Sequence, residues 1–175
     1  SNVPEDDSFT EFALASDGYW ISGGYRFADF GGIISSRNES SLFLAKYDFN
    51  DSLIYLELTP DVPTNSPYVQ SLSVNDNDEV FWQFALRCNS CTWVTDGQTA
   101  YSHSMMKLNS QGTVDCVTEM NRAEVSANST HHFSLNTFGS AISSQGSYHF
   151  YLGKWNNNCY NEWEKNYMWH TFAGS

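Results

Sequence analysis

The sequence Leu-Phe-Leu-Ala-Lys-Tyr-Asp at residues 42–48 recurs twice in altered form along this chain of 175 residues. Residues 103–109 read His-Ser-Met-Met-Lys-Leu-Asn, and residues 150–156 read Phe-Tyr-Leu-Gly-Lys-Trp-Asn. In all three copies a lysine is followed by a large apolar residue, then by Asp or Asn, and then by a polar turn. Nine positions beyond the three lysines stand Tyr55, Cys116 and Trp163. This pattern of strand, tight turn and partner strand predicts three similar β-hairpins.

A second hairpin precedes the first one in each copy. Residues 17–23 (Asp-Gly-Tyr-Trp-Ile-Ser-Gly) begin 29 positions before Lys46, and residues 78–84 (Asp-Glu-Val-Phe-Trp-Gln-Phe) begin at the same offset from Lys107. Residues 130–135 take this place in the third copy, with a shorter loop. An extended segment lies before each of them, at residues 9–15, 69–74 and 122–126. Each unit therefore contains four strands, and its length is that of one propeller blade, roughly 50–60 residues.

We predict an all-β fold in which three four-stranded antiparallel, blade-like units form a partial β-propeller. The whole chain is treated as one repeat domain, either complete or part of a longer chain. Its units span about residues 9–58, 69–120 and 122–167. A lone four-stranded sheet exposes both faces, and stacking the sheets covers them. Residues 19–21 and 80–82 are apolar at consecutive positions, which favours strands covered on both faces. The alternative architecture is a β-sandwich.

The first unit resembles the bacterial-type β-propeller repeat known as the SBBP repeat. Residues 17–25, 29–32 (Asp-Phe-Gly-Gly) and 42–48 carry the resemblance. The second unit retains residues 107–109 of that pattern, and the third retains residues 152–156. The resemblance implies an extracellular or cell-surface scaffold, and it supplies no catalytic residues.

Propellers close with more than three blades, because closure protects the edges of the sheets. We therefore expect the outer faces of the first and third units to be covered by further blades, by another copy of the chain, or by a protein partner. Residues 168–172 (Met-Trp-His-Thr-Phe) are expected to begin a further blade.

The charge of the chain and the length of its apolar stretches exclude two classes of partner. Twenty acidic residues against eight basic ones give a net charge of −12. Such a surface repels a phosphate backbone, and no cluster of Lys or Arg offsets it. No apolar stretch approaches the ~20 residues of a membrane-spanning helix. We therefore expect neither nucleic-acid binding nor membrane insertion.

Cysteines and sequons favour a secreted protein. The four cysteines, an even number that permits two disulfides, are Cys88, Cys91, Cys116 and Cys159. We predict that the first two bond to each other, and that the last two are either bridged or buried as free thiols. Three sequons predict glycosylated surface loops at Asn38, Asn50 and Asn128. The expected location is extracellular or at the cell surface.

No motif for catalysis or for a cofactor is present, and the five histidines lack metal-ligand spacing. The acidic turns at residues 50–51 and 76–79 offer oxygen ligands for Ca²⁺, although Asp and Asn in turns more often bond their own backbone.

We therefore predict a non-enzymatic scaffold that docks protein partners or assembles with further copies. The first alternative is a carbohydrate-binding module that stacks glycans on Trp93, Tyr101 or Trp169. The second is a hydrolase that acts on polysaccharides with a pair of carboxylates.

Overall fold

The computed structural model describes residues 8–30, 33–60, 67–86, 92–100, 103–119, 124–127, 131–140, 146–156 and 158–171. All regular secondary structure within these ranges is β-strand, so the predicted all-β class is confirmed. A helix long and apolar enough to cross a membrane is not found in this part of the chain.

Most strands belong to three four-stranded antiparallel sheets, and the strand order within each sheet follows the chain. The first unit comprises β1 (Ser8–Ala15), β2 (Gly18–Phe30), β3 (Ile33–Asp48) and β4 (Leu53–Leu58). The second comprises β5 (Tyr68–Val74), β6 (Val80–Ala85), β9 (His103–Leu108) and β10 (Val114–Glu119). The third comprises β11 (Glu124–Ala127), β12 (His131–Ser140), β13 (Gly146–Asn156) and β14 (Asn161–Thr171). Each unit is thus two consecutive hairpins.

The second unit carries an additional hairpin between β6 and β9, formed by β7 (Trp93–Thr95) and β8 (Gln98–Ala100). Its turn residues Asp96 and Gly97 have φ values of 47° and 75°. Positive φ at both positions is the requirement of the type I′ turn, for which Asp-Gly is a favoured sequence. The predicted strand pattern did not include this hairpin, although Asp96-Gly97 is a local signal for it. At the same point the first unit has an arm (residues 25–30 and 33–41), which continues β2 and β3 beyond the sheet.

The second sheet lies between the other two. β1 and β2 contact β5 on one side, and β5 and β6 contact β11 on the other. Every residue of β6 is buried, as the consecutive apolar residues 80–82 predict. In β2 only Trp20 of residues 19–21 is fully buried, because the first sheet has a neighbouring sheet on one face alone among the described residues.

The last hairpin of each unit closes with the same turn, which we call the closing turn. Its first residue is Asp48, Asn109 or Asn156, two positions after the lysine. The Oδ1 atom of this residue accepts hydrogen bonds from the backbone N–H groups two and four positions later, at 2.8–3.2 Å. The fourth residue of the turn has positive φ, which is 61° at Asp51, 89° at Gly112 and 60° at Cys159.

The end of the third unit differs from the expectation. Residues 168–171 belong to β14 and pair with β13, so they complete the third sheet and do not begin a further blade.

Candidate functional site

Each unit contacts the next one through the residue nine positions after the lysine of its third strand, and in the first unit the lysine takes part as well. The Lys46 Nζ, which is almost fully buried, donates to Asp17 Oδ2 at 2.9 Å and to the Ser110 carbonyl at 3.0 Å. Ser110 lies in the closing turn of the second unit. In the same turn Gly112 packs against Tyr55, where an added Cβ would lie 2.3 Å from the ring. The outer hairpin of the first unit thus docks on the closing turn of the second.

The contact between the second and third units uses the same positions. Cys116 stands nine residues after Lys107, and it forms a disulfide with Cys159, with a Cα–Cα distance of 6.1 Å. Cys159 occupies the position in its closing turn that Gly112 occupies in the preceding one. Lys107 is buried and forms ion pairs with Glu79 at 2.7 Å and with Asp115 at 3.3 Å, both in its own unit. The two contacts between units are therefore equivalent at the residue nine positions after the lysine, where one is a ring on a glycine and the other a disulfide.

The opposite face of the first sheet is uncovered at its inner strands. Phe12 is 50% exposed and Leu14 is 64% exposed. Register places Leu72 and Val74 at the same positions of the second sheet, and both pack into the core against the first sheet. Leu72 is 8% exposed. Of the equivalent apolar residues, Leu72 is buried and Val74 partly buried where a preceding sheet is present, whereas Phe12 and Leu14 are exposed where the described chain provides none.

The uncovered side chains form a row of aromatic rings. We call the surface made by Phe12, Leu14, Tyr19 and Tyr47 the open face. The ring centroids of Phe12 and Tyr19 are 5.7 Å apart, as are those of Tyr19 and Tyr47. The Tyr19 hydroxyl donates to Asp51 Oδ1 at 2.7 Å, and this hydrogen bond raises the pKa of Tyr19. Burial raises the pKa of Tyr47. The open face therefore presents neutral rings at neutral pH.

The arm covers the outer half of the same sheet face. Phe30, at the end of β2, lies with its ring centroid 5.0 Å from that of Phe43 on β3. Tyr25 meets both rings edge-on. The open face is therefore bounded by the arm on one side, and by the closing turn with Asp48 and Asp51 at one end.

The outward face of the third sheet carries a lysine and a large residue at the positions that the first unit uses to contact the second. Lys154 is 25% exposed and forms an ion pair of 2.8 Å with Glu162. Trp163, the counterpart of Tyr55 and Cys116, is 37% exposed. Lys165 lies over its ring at 5.5 Å. Leu152 is partly buried, whereas its counterpart Leu44 is fully buried against the second sheet.

The inserted hairpin is tied to the first unit through a buried carboxylate. Glu57 accepts a hydrogen bond from the Tyr55 hydroxyl at 2.9 Å and one from Thr95 Oγ1 at 3.4 Å. Burial raises the pKa of Glu57, and the nearby Asp96 raises it further. Burial and Glu57 together raise the pKa of Tyr55. This cluster bridges the two units, and nothing in its geometry suggests catalysis.

Of the three aromatic residues predicted to stack on glycans, only one has a described side chain. Trp93 is 9% exposed and packs between Trp82 and Phe84, at centroid distances of 6.1 and 5.9 Å. It is a core residue and offers no ring face to a sugar. Tyr101 lies outside the described residues, and Trp169 lies on β14 with a side chain that is not described.

Some of the residues predicted to carry glycans or to form a disulfide have a described position, and others do not. Asn50 is exposed in the closing turn of the first unit. Asn38 lies within β3, so the predicted loop at this position is wrong. It falls at the register shift in the arm, where regular pairing with β2 is interrupted. Asn128, Cys88 and Cys91 lie outside the described residues.

The acidic turns considered for Ca²⁺ bond their own backbone. Asn75 Oδ1 accepts from the N–H groups of Asn77 and Glu79 at 3.0 Å, as Asp48 does in its turn. Within the described ranges, no three His, Cys, Asp or Glu side chains are grouped as metal ligands. His132 on β12 pairs with Trp155 on β13. His149 also lies on β13, six residues before Trp155, so the strand register does not bring these two histidines together.

No family model matches the chain, and no curated protein matches it. Function is therefore inferred from the geometry of the two outward sheet faces.

Proposed function

We propose that this chain is a non-catalytic interaction scaffold of the β-propeller type that acts outside the cell or at its surface. Its open face docks a protein partner. The observation that carries the proposal is the contrast between Phe12 and Leu14, which are exposed, and Leu72 and Val74, which are covered by a neighbouring sheet. The same face of the same repeat is a packing surface in the second unit and is available in the first.

The chemistry of the open face suits protein recognition. Aromatic residues are enriched at the centres of protein interfaces, and polar residues are enriched at the rim. Here a row of neutral rings is flanked by the carboxylates of Asp48 and Asp51. Burying apolar surface contributes roughly 25 cal/mol per Å² before the entropic cost of association. The partner that fits this surface has an apolar centre and basic residues at its edge.

Two further observations support a location outside the cytosol. Disulfides persist in oxidising compartments and are rare in the cytosol of most organisms. The Cys116–Cys159 bond joins two units of the fold, as a structural disulfide does. Asn50, the acceptor residue of one of the three sequons, is exposed in a turn, where a glycosylating enzyme can reach it.

Site-specific photo-cross-linking tests the proposal. A benzophenone amino acid replaces Phe12 in one variant and Val94 in a control, since Val94 is also a large, exposed apolar residue. Both variants are produced in cells of the natural source and irradiated. We expect a discrete protein adduct from position 12, and none from position 94. The absence of an adduct from position 12, or identical adducts from both positions, would reject the open face as a docking surface.

A second candidate is glycan binding on the open face itself, which the stacked, partly exposed rings of Tyr19 and Tyr47 favour. Titration of soluble glycans against the tyrosine resonances of the chain tests it. Shifts that disappear when Tyr19 is replaced by alanine would support this candidate, and unchanged resonances would exclude it.

A further inference from the structure

We infer that the partner of the open face is the outward face of the third sheet in a second copy of this chain, so that copies join head to tail. This inference rests on the proposed function, because it uses the same docking surface. It adds the identity of the partner and the geometry of the contact.

The two outward faces carry the two halves of a contact that the chain already makes internally. One half is a lysine with a large residue nine positions later, as in Lys46 with Tyr55. The third unit repeats this half with Lys154 and Trp163, and the described residues provide no following unit. The other half is a closing turn that receives the lysine and the large residue.

The first unit has this receiving half, and the described residues provide no preceding unit. Its closing turn includes Phe49, which is largely exposed, and Asp51. These residues stand where Ser110 and Gly112 stand in the second unit. In a head-to-tail contact, Lys154 would face the carbonyl of Phe49, and Trp163 would lie beside Asp51, whose Cβ requires the ring to sit farther from the turn than the Tyr55 ring does at Gly112.

Charge favours this pairing. The closing turn of the first unit carries the carboxylates of Asp48 and Asp51, whereas the corresponding residues of the second unit are Asn109 and Gly112. Hydrogen bonds from the backbone of Ser52 and Asn50 lower the pKa of Asp48, so its carboxylate is ionised at neutral pH. The incoming face offers the ammonium group of Lys165, which lies over Trp163, whereas the ammonium group of Lys154 is already paired with Glu162.

The arm fits the same scheme. In the second unit the inserted hairpin β7–β8 reaches the preceding sheet through the contact of Thr95 with Glu57. The arm is inserted at the same point of the first unit, and Ile33 near its tip is half exposed. It is placed to contact the outer strand of an incoming third unit.

The proposed contact is heterologous, because it joins two different faces of the chain. The rotation between neighbouring units within the chain sets the rotation expected between copies.

An engineered disulfide tests the contact. Asp51→Cys and Trp163→Cys place cysteines at the positions that Cys159 and Cys116 occupy in the internal contact. The two single variants are mixed under mild oxidation, and the cross-linked peptides are identified by mass. We expect a disulfide between positions 51 and 163 of different chains. Adding Leu14→Asp to the Asp51→Cys chain, as a matched control, should reduce its yield at least tenfold.

Sedimentation of the unmodified chain at tens of micromolar gives the second readout, with a particle larger than the monomer expected. A monomer that forms no 51–163 disulfide would overturn the inference, as would dimers joined only through 51–51 or 163–163 bonds. If such a monomer still gives a discrete adduct from the photo-cross-linker at position 12, the proposed scaffold role stands and the second-copy partner falls.

Discussion

Replacing both Cys116 and Cys159 with alanine should lower the free energy of unfolding by about 4 kcal/mol. The bond spans 43 residues, and the chain-entropy relation for a loop of that length gives about 4 kcal/mol at 25 °C. For a domain of this size each kcal/mol shifts the melting midpoint by roughly 2–4 °C, so the expected decrease is about 8–16 °C. The effect is large because the bond holds the closing turn of the third unit against β10 of the second.

Thermal unfolding of the wild type, the two single variants and the double variant provides the assay. Breaking the bond from either side removes the same constraint, so each single variant should lose nearly as much as the double variant. The cysteines at positions 88 and 91 are unchanged throughout. A double variant that melts within about 2 °C of the wild type, or single losses that add up to the double loss, would refute the reasoning.

Three further substitutions probe the contact between the first and second units, and two of them have a control substitution at an equivalent position or backbone conformation elsewhere. Gly112→Ala should lower the free energy of unfolding, measured in urea, by about 2–4 kcal/mol. The added Cβ would lie 2.3 Å from the Tyr55 ring, and the backbone φ of 89° disfavours alanine. Gly97→Ala, at φ 75° in open space, should cost only about 1 kcal/mol; equal losses would refute the packing explanation. Lys46→Met should lower the free energy of unfolding by about 2 kcal/mol, because charged hydrogen bonds are lost. Lys154→Met should lower it by less than ~1 kcal/mol, because that ion pair is partly exposed. A larger loss at Lys154 than at Lys46 would contradict the assigned roles. Because burial raises the pKa of Glu57, its contribution to stability is present below the ordinary value of 4.5 and is lost as pH rises through the raised value. The stability of Glu57→Gln relative to the wild type should therefore increase between pH 4 and pH 7, whereas a constant difference would argue against a raised pKa.

The repeated lysine pattern allowed the four-stranded units to be predicted, because strand period and turn chemistry are local properties. The burial of residues 80–82 on both faces also followed from local sequence. The exposure of Phe12 and Leu14 did not follow from local sequence. The alternation of side chains along a strand shows which residues share a face of the sheet, but not whether another sheet covers that face. Their counterparts Leu72 and Val74 have the same spacing and are covered.

Insertions were the main source of error. Trp93 lies in a short polar segment that resembles a loop, yet the hairpin folds back and buries the ring between two units. Asn38 lies in a polar run, yet the arm continues β3 through it. In both cases the conformation depends on contacts distant in sequence, although the Asp96-Gly97 pair was a local signal for the first hairpin.

The central claim is that one type of contact joins successive units, and a disulfide engineered into the first contact tests it most directly. Tyr55→Cys with Gly112→Cys places two cysteines at the positions equivalent to the native Cys116–Cys159 bond. Non-reducing peptide mapping should find a 55–112 disulfide beside the native one. The control chain with Ile54→Cys, Tyr55→Ala and Gly112→Cys removes the same ring but should not bond, because Ile54 is exposed at a bulge in the strand. Free thiols at both 55 and 112, with the native disulfide intact, would contradict the equivalence of the two contacts.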